Sequence, residues 1–200
     1  MRLALPALAG ALFLTSPAHA QFSQGYKFLE AVRKKDAQTV TDMVNSPGST
    51  IINTRDLTTG ETALHIATAR RDLTWMGFLA GKGANVNLKD GHGVTPLELA
   101  SNLGFVEGVE LLVQSGARVD EPNSSGETAL MAAVHRRDLG MIRLLLKAGA
   151  DPDRSDNSGR TARDYALLDG KTSPMVTEIQ TNARPRGSRG TTGKKYGPSL

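Results

Sequence analysis

Glu61 and His65 stand four residues apart in the segment GETALHIA, which places them on one face of a predicted helix. A carboxylate beside an imidazole suits general acid–base chemistry or metal binding. The surrounding octapeptide recurs from Gly93, Gly126 and Gly159, so that its copies are evenly spaced along the chain. Across these copies the glutamate position changes to Val, Glu and Arg, and the histidine position to Glu, Met and Asp. Because a catalytic pair would not vary within a fixed motif, we interpret both residues as variable positions of a structural repeat.

The other reactive side chains also lack the context that catalysis or metal binding requires. Beyond residue 20 the histidines are His65, His92 and His135, and no two of them have metal-ligand spacing on one helix. The tail segment GSRGTTGKK has serine where a phosphate-binding loop needs its first glycine, and no Gly-x-Ser-x-Gly motif occurs. The absence of cysteine excludes disulfides, thiolate zinc sites and cysteine nucleophiles. We therefore expect no enzyme activity, metal or cofactor, and an unrecognised hydrolase is the weaker alternative.

The residues that do repeat are those that begin a helix. A glycine can adopt positive φ in a turn, and the threonine two residues later can cap the helix that follows. Pro96 directly follows Thr95, in the first turn where its missing N–H costs nothing. A leucine and an alanine then lie three residues apart on one face. Each copy predicts a short helix after its threonine, and these threonines are Thr62, Thr95, Thr128 and Thr161.

A second helix follows in each period. Apolar residues recur at helical spacing from Leu73, Val106 and Leu139. Each of these segments ends at a glycine, which is the usual residue after a last helical turn. Polar segments with the sequences KDGH, PNSS and SDNS then lead into the next octapeptide and predict turns.

With this repeat the chain resembles the ankyrin repeat family, whose period equals the interval between these copies and whose signature is T-P-L-H-x-A. Thr95-Pro96-Leu97 matches three positions, Thr62-Ala63-Leu64-His65 matches with alanine in place of proline, and the segments GANVN and GADPD are similar to the family's repeat ends. The resemblance covers roughly residues 26–182. It implies an all-α solenoid of stacked helix–turn–helix units joined by β-hairpin-like turns. It also implies that His65 packs and hydrogen-bonds between repeats.

The end repeats depart from this pattern. Three extra residues lie in the connection SPGSTIINTRDLTT, and the first repeat lacks the opening glycine and threonine. In the last repeat Arg163 replaces the signature leucine, and Pro174 would begin a short final helix. Both ends therefore predict capping repeats, which gives five helix pairs. The predicted organisation is a signal peptide over 1–20, a repeat domain over 21–182 with repeats at 26–52, 53–86, 87–119, 120–152 and 153–182, and a disordered basic tail over 183–200.

The first twenty residues have the pattern of a secretory signal peptide. Arg2 precedes an apolar stretch over residues 3–14, and the small residues Ala18 and Ala20 predict cleavage after Ala20. The stretch is shorter than the roughly 20 apolar residues of a membrane span. No cysteine follows for a lipid anchor, and no Arg-Arg pair directs the chain to twin-arginine export. The predicted location is the bacterial periplasm, with secretion as the second choice.

The positive charge of the chain belongs mainly to its tail. The formal net charge is +4, but without Arg2 and the five basic residues of the tail the chain has 18 basic and 20 acidic side chains. The tail has two interpretations: a solubilising segment, or a contact for anionic lipid, glycan or an acidic protein. Nucleic acid is not an expected partner, because the protein is predicted to leave the cytoplasm.

Basic pairs recur where each first helix ends. Lys34-Lys35, Arg70-Arg71 and Arg136-Arg137 hold equivalent positions, each followed by aspartate, whereas the third repeat has Leu103-Gly104-Phe105. Stacking would align the pairs into a basic stripe that docks an acidic partner, with the leucine and phenylalanine as an apolar contact. The alternative is that these cations are solvated and complement the helix dipoles. The sequence leaves both interpretations open.

The family resemblance implies that a partner contacts the turn tips and the exposed ends of the first helices. The tips are residues 57–58, 91–92, 124–125 and 157–158, and the helix ends are residues 33–34, 69–70, 102–103 and 135–136. We therefore expect a monomeric, non-catalytic scaffold of the cell envelope that binds another protein, which is acidic if the basic stripe makes the contact. The candidate contact residues are Arg33, Lys34, Arg70, His92, Asn102, Leu103, Phe105, Ser125, His135, Arg136 and Asn157.

Overall fold

The structure is a computed structural model that describes residues 17–183, with side chains from residue 24 onward. The apolar stretch of the predicted signal peptide and the basic tail beyond Ala183 lie outside the described residues. The signal peptide and the disordered tail therefore stay predictions.

Ten α-helices in the described chain form five consecutive pairs, as the repeat pattern predicted. A short 3-10 turn, Ile51–Asn53, lies in the longer connection after the first pair. The helices are α1 Pro17–Lys34, α2 Ala37–Asn45, α3 Ala63–Ala69, α4 Leu73–Gly81, α5 Pro96–Asn102, α6 Val106–Gln114, α7 Ala129–His135, α8 Leu139–Lys147, α9 Ala162–Leu167 and α10 Pro174–Asn182.

The helices stack in two layers. The first helices of the pairs, α1, α3, α5, α7 and α9, each pack against the next, while among the second helices α4 packs on α6 and α8 on α10. One continuous apolar core runs between the layers from Phe28 to Ile179. The all-α solenoid that the resemblance implied is confirmed.

Local residues fix where each helix begins. The hydroxyl of each repeated threonine accepts the N–H of the residue three positions later. The glycines two positions before these threonines have φ between 71° and 81°, as predicted. Three second helices begin after Asp36, Asp72 and Asp138, whose carboxylates accept the backbone N–H three residues on. Caps of this kind satisfy N–H groups that have no partner inside the helix.

The turn tips form a ladder of their own. In each tip a side-chain oxygen of Asp or Asn accepts the backbone N–H two residues later, which holds the turn closed. Neighbouring tips then join through backbone hydrogen bonds, from Gly91 N–H to the Thr59 carbonyl at 2.8 Å and from Asn157 N–H to the Ser125 carbonyl at 3.0 Å. An antiparallel bridge between Arg55 and Thr62 closes the first hairpin-like turn.

The two end repeats make local contacts of their own. Helix α1 passes so close to the first long connection that a Cβ on Gly25 would lie 2.8 Å from Thr54 Cγ2. In the last repeat Arg163 does not enter the core, because its Nε donates to Asp153 Oδ1 at 2.8 Å. Leu167 is 42% exposed. The last repeat therefore presents the Arg163–Asp153 contact together with the exposed side chains of Leu167 and Leu168.

Candidate functional site

The predicted contact residues fall into two rows along the stack. His92, Ser125 and Asn157 are exposed at successive turn tips. Asn102 and His135 are exposed at the last positions of α5 and α7. Stacking aligns residues that hold equivalent positions in successive repeats. The two rows therefore present different side chains at regular intervals along the stack.

Phe105 does not belong to this exposed surface, so its expected role as an apolar partner contact is wrong. Its side chain is only 7% exposed. Gly108 leaves the space that the ring fills, since a Cβ there would lie 2.4 Å from Phe105 Cδ1. The Arg71 guanidinium covers the ring at 5.5 Å from its centroid. Leu103 is half-buried and packs against the core, so it too offers little apolar surface.

The first cation of two basic pairs contacts the preceding repeat. Arg70 donates from Nη1 to the carbonyls of Val32 and Arg33, both at 2.9 Å. Arg136 donates in the same way to the carbonyl of Asn102 at 3.1 Å. These carbonyls belong to the last turn of a first helix, where carbonyls have no partner inside the helix. The Val32 carbonyl also accepts the Lys35 N–H at 3.2 Å. The two arginines therefore cap the neighbouring helix as well as complementing its dipole.

The second cation of each pair occupies an unusual backbone position. Lys35, Arg71 and Arg137 have φ of 60°, 54° and 56°, in the left-handed region that favours glycine. The third and fifth repeats use glycine here, with Gly104 at 64° and Gly170 at 101°. The non-glycine residues bear a backbone cost of about 1 kcal/mol each.

These second cations contact the following repeat. Lys35 Nζ lies 2.6 Å from Asp72 Oδ2, and Arg137 Nη2 donates to Asp169 Oδ1 at 2.6 Å. Arg71 Nη2 donates to the carbonyls of Leu103 and Gly104 at 2.9 and 2.7 Å. In the second and fourth repeats the two cations of a pair therefore point in opposite directions along the stack, and contacts between repeats explain both. In the first repeat such a contact explains only Lys35.

Two further basic candidates lie on the first repeat. Arg33 Nη2 lies 2.8 Å from Asp56 Oδ2, and this hydrogen bond is the main reason that the pKa of Asp56 is lowered to about 2. The Lys34 side chain is 75% exposed and lies 3.6 Å from Glu30. Lys34 is thus the more accessible of the two cations.

His65 connects two repeats, as the family resemblance implied. The imidazole is fully buried. Its Nδ1 accepts the Thr62 backbone N–H at 3.2 Å, and its Nε2 donates to the Val94 carbonyl of the next repeat at 3.0 Å. Desolvation lowers the pKa of the ring, so the neutral tautomer protonated at Nε2 is the form that fits.

Replacing His65 with leucine should lower the free energy of unfolding by about 1–2 kcal/mol at pH 7.5, because the buried Thr62 N–H and Val94 carbonyl lose their partner. The folded protein holds the ring neutral below its ordinary pKa of 6.5, so the unfolded chain binds more protons there. The advantage of the wild type over the variant should therefore shrink as the pH falls below 6.5. Chemical denaturation of both proteins at pH 5.0 and 7.5 measures this difference, and an advantage that grows in acid would contradict it.

Glu98 holds the position of His65 in the next repeat, and its environment was not predicted from the sequence. The side chain is 1% exposed. Oε1 accepts from Asn123 Nδ2 at 2.6 Å, whereas Oε2 has no hydrogen-bond partner among residues 24–183. Burial, and then the charges of Glu127 and Asp90, raise the pKa of this carboxyl to about 7. A glutamate inside the apolar segment GVTPLELA was the available signal.

Polar contacts continue from Glu98 towards the end of the stack. Asn123 Nδ2 also lies 3.3 Å from Glu127 Oε2, and Glu127 Oε1 lies 3.6 Å from His135 Nε2. The rings of His135 and Tyr165 are 4.4 Å apart, and the tyrosine hydroxyl donates to Asp156 at 2.5 Å. The face built from the first helices is thus partly polar and partly aromatic over the last three repeats.

A concavity open to solvent lies on the first repeat. It has a volume of about 1310 Å³ and is open to solvent between the start of α1 and residues 46–58. Tyr26 and Leu57 line it and are 65% and 79% exposed. No group of three or more His, Asp or Glu side chains within the described range could hold a metal ion.

Comparison with known families agrees with this architecture. A family model described as "Ankyrin repeats (3 copies)" matches residues 28–123. A second, "Ankyrin repeats (many copies)", matches residues 112–166. Together the matches extend over four of the five helix pairs and into the last. Among residues 17–183 no helix has the length and apolar character needed to cross a membrane.

Proposed function

Because the chain belongs to the ankyrin repeat family, we propose that it is a non-catalytic scaffold that binds another protein through its turn tips and the ends of its first helices. Ankyrin repeats generally mediate protein–protein interaction, and solenoids present extended surfaces for it. The main support for the proposal is the row of turn tips that are joined by backbone hydrogen bonds. Its backbone is fixed by hydrogen bonds between repeats, while the side chains of His92, Ser125 and Asn157 stay exposed.

An acidic partner is part of this proposal, but its support is narrower than the basic stripe of the sequence. Lys34 of the first repeat and Arg136 of the fourth are exposed where first helices end, and Arg33 precedes Lys34 in α1. Arg70 contributes through its bonds to the preceding helix. We propose that the exposed cations surround a contact made mainly by the tips.

Photo-crosslinking tests which face binds the partner. A photoreactive amino acid placed at His92 or Ser125 should capture one protein of the native envelope. The same amino acid at Glu107 or Glu110, which are exposed on the second helix α6, is the matched control. Equal capture from both faces, or capture only from α6, would contradict the proposed surface.

We propose the periplasm as the place of this interaction, with secretion as the alternative. The support is the charged, apolar and small-residue pattern of residues 1–20. Sequencing the amino terminus of the exported protein should find Gln21 first. A cytoplasmic protein that retains Met1 would rule out this location.

A second candidate function is the binding of an anionic surface by the tail. Five basic residues and no acidic residue follow Ala183, which favours such a contact. Vesicles with anionic lipid should then bind the whole protein but not a chain that ends at Asn182. Equal binding of the two would leave the tail with a solubilising role.

A further inference from the structure

The buried carboxyl of Glu98 lies where two repeats meet. Glu98 belongs to α5 of the third repeat, and its hydrogen-bond partner Asn123 belongs to the turn that begins the fourth. The Asn123 side chain also makes bonds within its own turn: its Oδ1 accepts the backbone N–H groups of Ser125 and Glu127 at 2.8 and 3.0 Å. One asparagine therefore connects the Glu98 carboxyl to the closed form of this turn.

The bond from Asn123 Nδ2 favours the carboxylate of Glu98, but burial and the neighbouring negative charges outweigh it and favour the neutral acid. Oε2 is buried and has no hydrogen-bond partner in the described part of the chain, so a charge there would lack solvation. Glu127 reaches the same Asn123 nitrogen, which would bring two negative charges to one amide group. Asp90 adds a third negative charge from the preceding turn, and Lys89 opposes them.

We propose that Glu98 is a proton-dependent latch: the neutral carboxyl holds the turn of residues 123–126 against α5, and its ionisation loosens that turn. An ionised carboxylate gains water only if it moves away from its buried position. Asn123 would move with it or lose its bond, and in both cases the turn loses an organising contact. Ser125 lies in this turn, so the latch would also make partner binding depend on pH. That last consequence rests on the proposed function.

Burial raises the pKa of Glu98 to about 7 from an ordinary value of 4.5. The folded protein therefore binds one more proton than the unfolded chain between these two values. The stabilising contribution of the neutral acid is complete below pH 4.5 and is lost as the pH rises through 7. Opening of the turn is expected above neutrality and not in acid.

Nuclear magnetic resonance of the whole protein tests the latch without any partner. The carboxyl carbon of Glu98 should titrate near pH 7, and a midpoint below pH 5 would overturn the proposal. Amide exchange is the second measurement. The protection factors of Ser125 and Glu127 should fall at least about tenfold from pH 6 to pH 8.5, as expected if the open state gains about 1.4 kcal/mol. The equivalent amides of Ser158 and Arg160 in the next turn should stay constant.

Variants show whether the pH dependence of amide protection comes from Glu98 or from another group. Glu98→Gln keeps an acceptor for Asn123 without a charge, so its protection should no longer change with pH.

The charge of Glu127 raises the pKa of Glu98. Removing that charge in Glu127→Gln therefore lowers the pKa of Glu98, so the transition of this variant should lie at lower pH than in the wild type. His135 contacts Glu127, and His65, whose pKa is lowered by burial, bonds to the third repeat. His135→Gln should retain the transition, and a transition that persists in Glu98→Gln would overturn the proposal.

Discussion

Replacing Gly126 with alanine is expected to lower the free energy of unfolding by about 3 kcal/mol or more. The residue has φ of 81°, where a Cβ costs about 1 kcal/mol. The added Cβ would also lie 2.6 Å from Asn157 N and 2.9 Å from Asp156 Cα, so the next turn tip must move. That movement breaks the bond from Asn157 N–H to the Ser125 carbonyl.

Gly159 provides the matched control for this variant. It has the same φ of 81°, but a Cβ there would meet nothing within 4 Å. Gly159→Ala should therefore cost only about 1 kcal/mol. Urea denaturation of the two variants isolates the contribution of contact between tips. Equal losses would mean that the tips contribute little to stacking.

The second large effect is expected at Arg70. Arg70→Met removes two hydrogen bonds to the carbonyls of Val32 and Arg33 at the end of α1. The Val32 carbonyl keeps its bond from the Lys35 N–H. Bonds of this charged type contribute roughly 1.5–3 kcal/mol. Because Nε and Nη2 of Arg70 are buried without hydrogen-bond partners among the described residues, we expect a loss of about 2 kcal/mol, towards the lower end of that range.

Lys34→Met is the control for Arg70→Met, since both residues belong to the basic stripe of the sequence. The Lys34 side chain is 75% exposed, and removing it should change the stability by less than about 0.5 kcal/mol. Thermal unfolding of both variants compares the two cations. If both variants matched the wild type in stability, Arg70 would not hold the first two repeats together.

Regular features of the fold were predictable because each depends on nearby residues. A threonine caps the helix that begins one position later, and a glycine adopts positive φ in its own turn. Both effects can therefore be predicted from a short segment of the sequence. The constant interval between copies then gave the number of helix pairs. The role of His65 came with the family resemblance and not from its spacing to Glu61.

The side-chain contacts between repeats were not predictable in the same way. Phe105 is buried because Gly108 leaves room for its ring, and no pattern of apolar residues reports the absence of a side chain. Arg70 and Arg71 look alike in the sequence but point to opposite neighbours, because only the second has a left-handed backbone. Their partners Val32 and Leu103 lie 38 and 32 positions away in the sequence, so stacking alone determines these contacts.

The contact between Glu98 and Asn123 is another contact between repeats that the sequence did not predict. The two residues are 25 positions apart, and each looks ordinary in its own segment, one on a helix and one in a turn. Their contact becomes visible only when the fourth repeat is placed against the third. Glu98, whose protonation could change, therefore stands at a position where the residue type differs from repeat to repeat.

Partner affinity of a variant with altered tips is the decisive measurement for the proposed scaffold. His92→Glu with Ser125→Glu adds negative charge to two exposed tips. Gln114→Glu with Gln180→Glu adds charge to exposed positions on second helices and is the control. We predict that the tip variant binds the crosslinked partner at least about tenfold more weakly, a loss of roughly 1.4 kcal/mol, while the control binds like the wild type. Unchanged affinity in the folded tip variant would contradict partner binding through the tips.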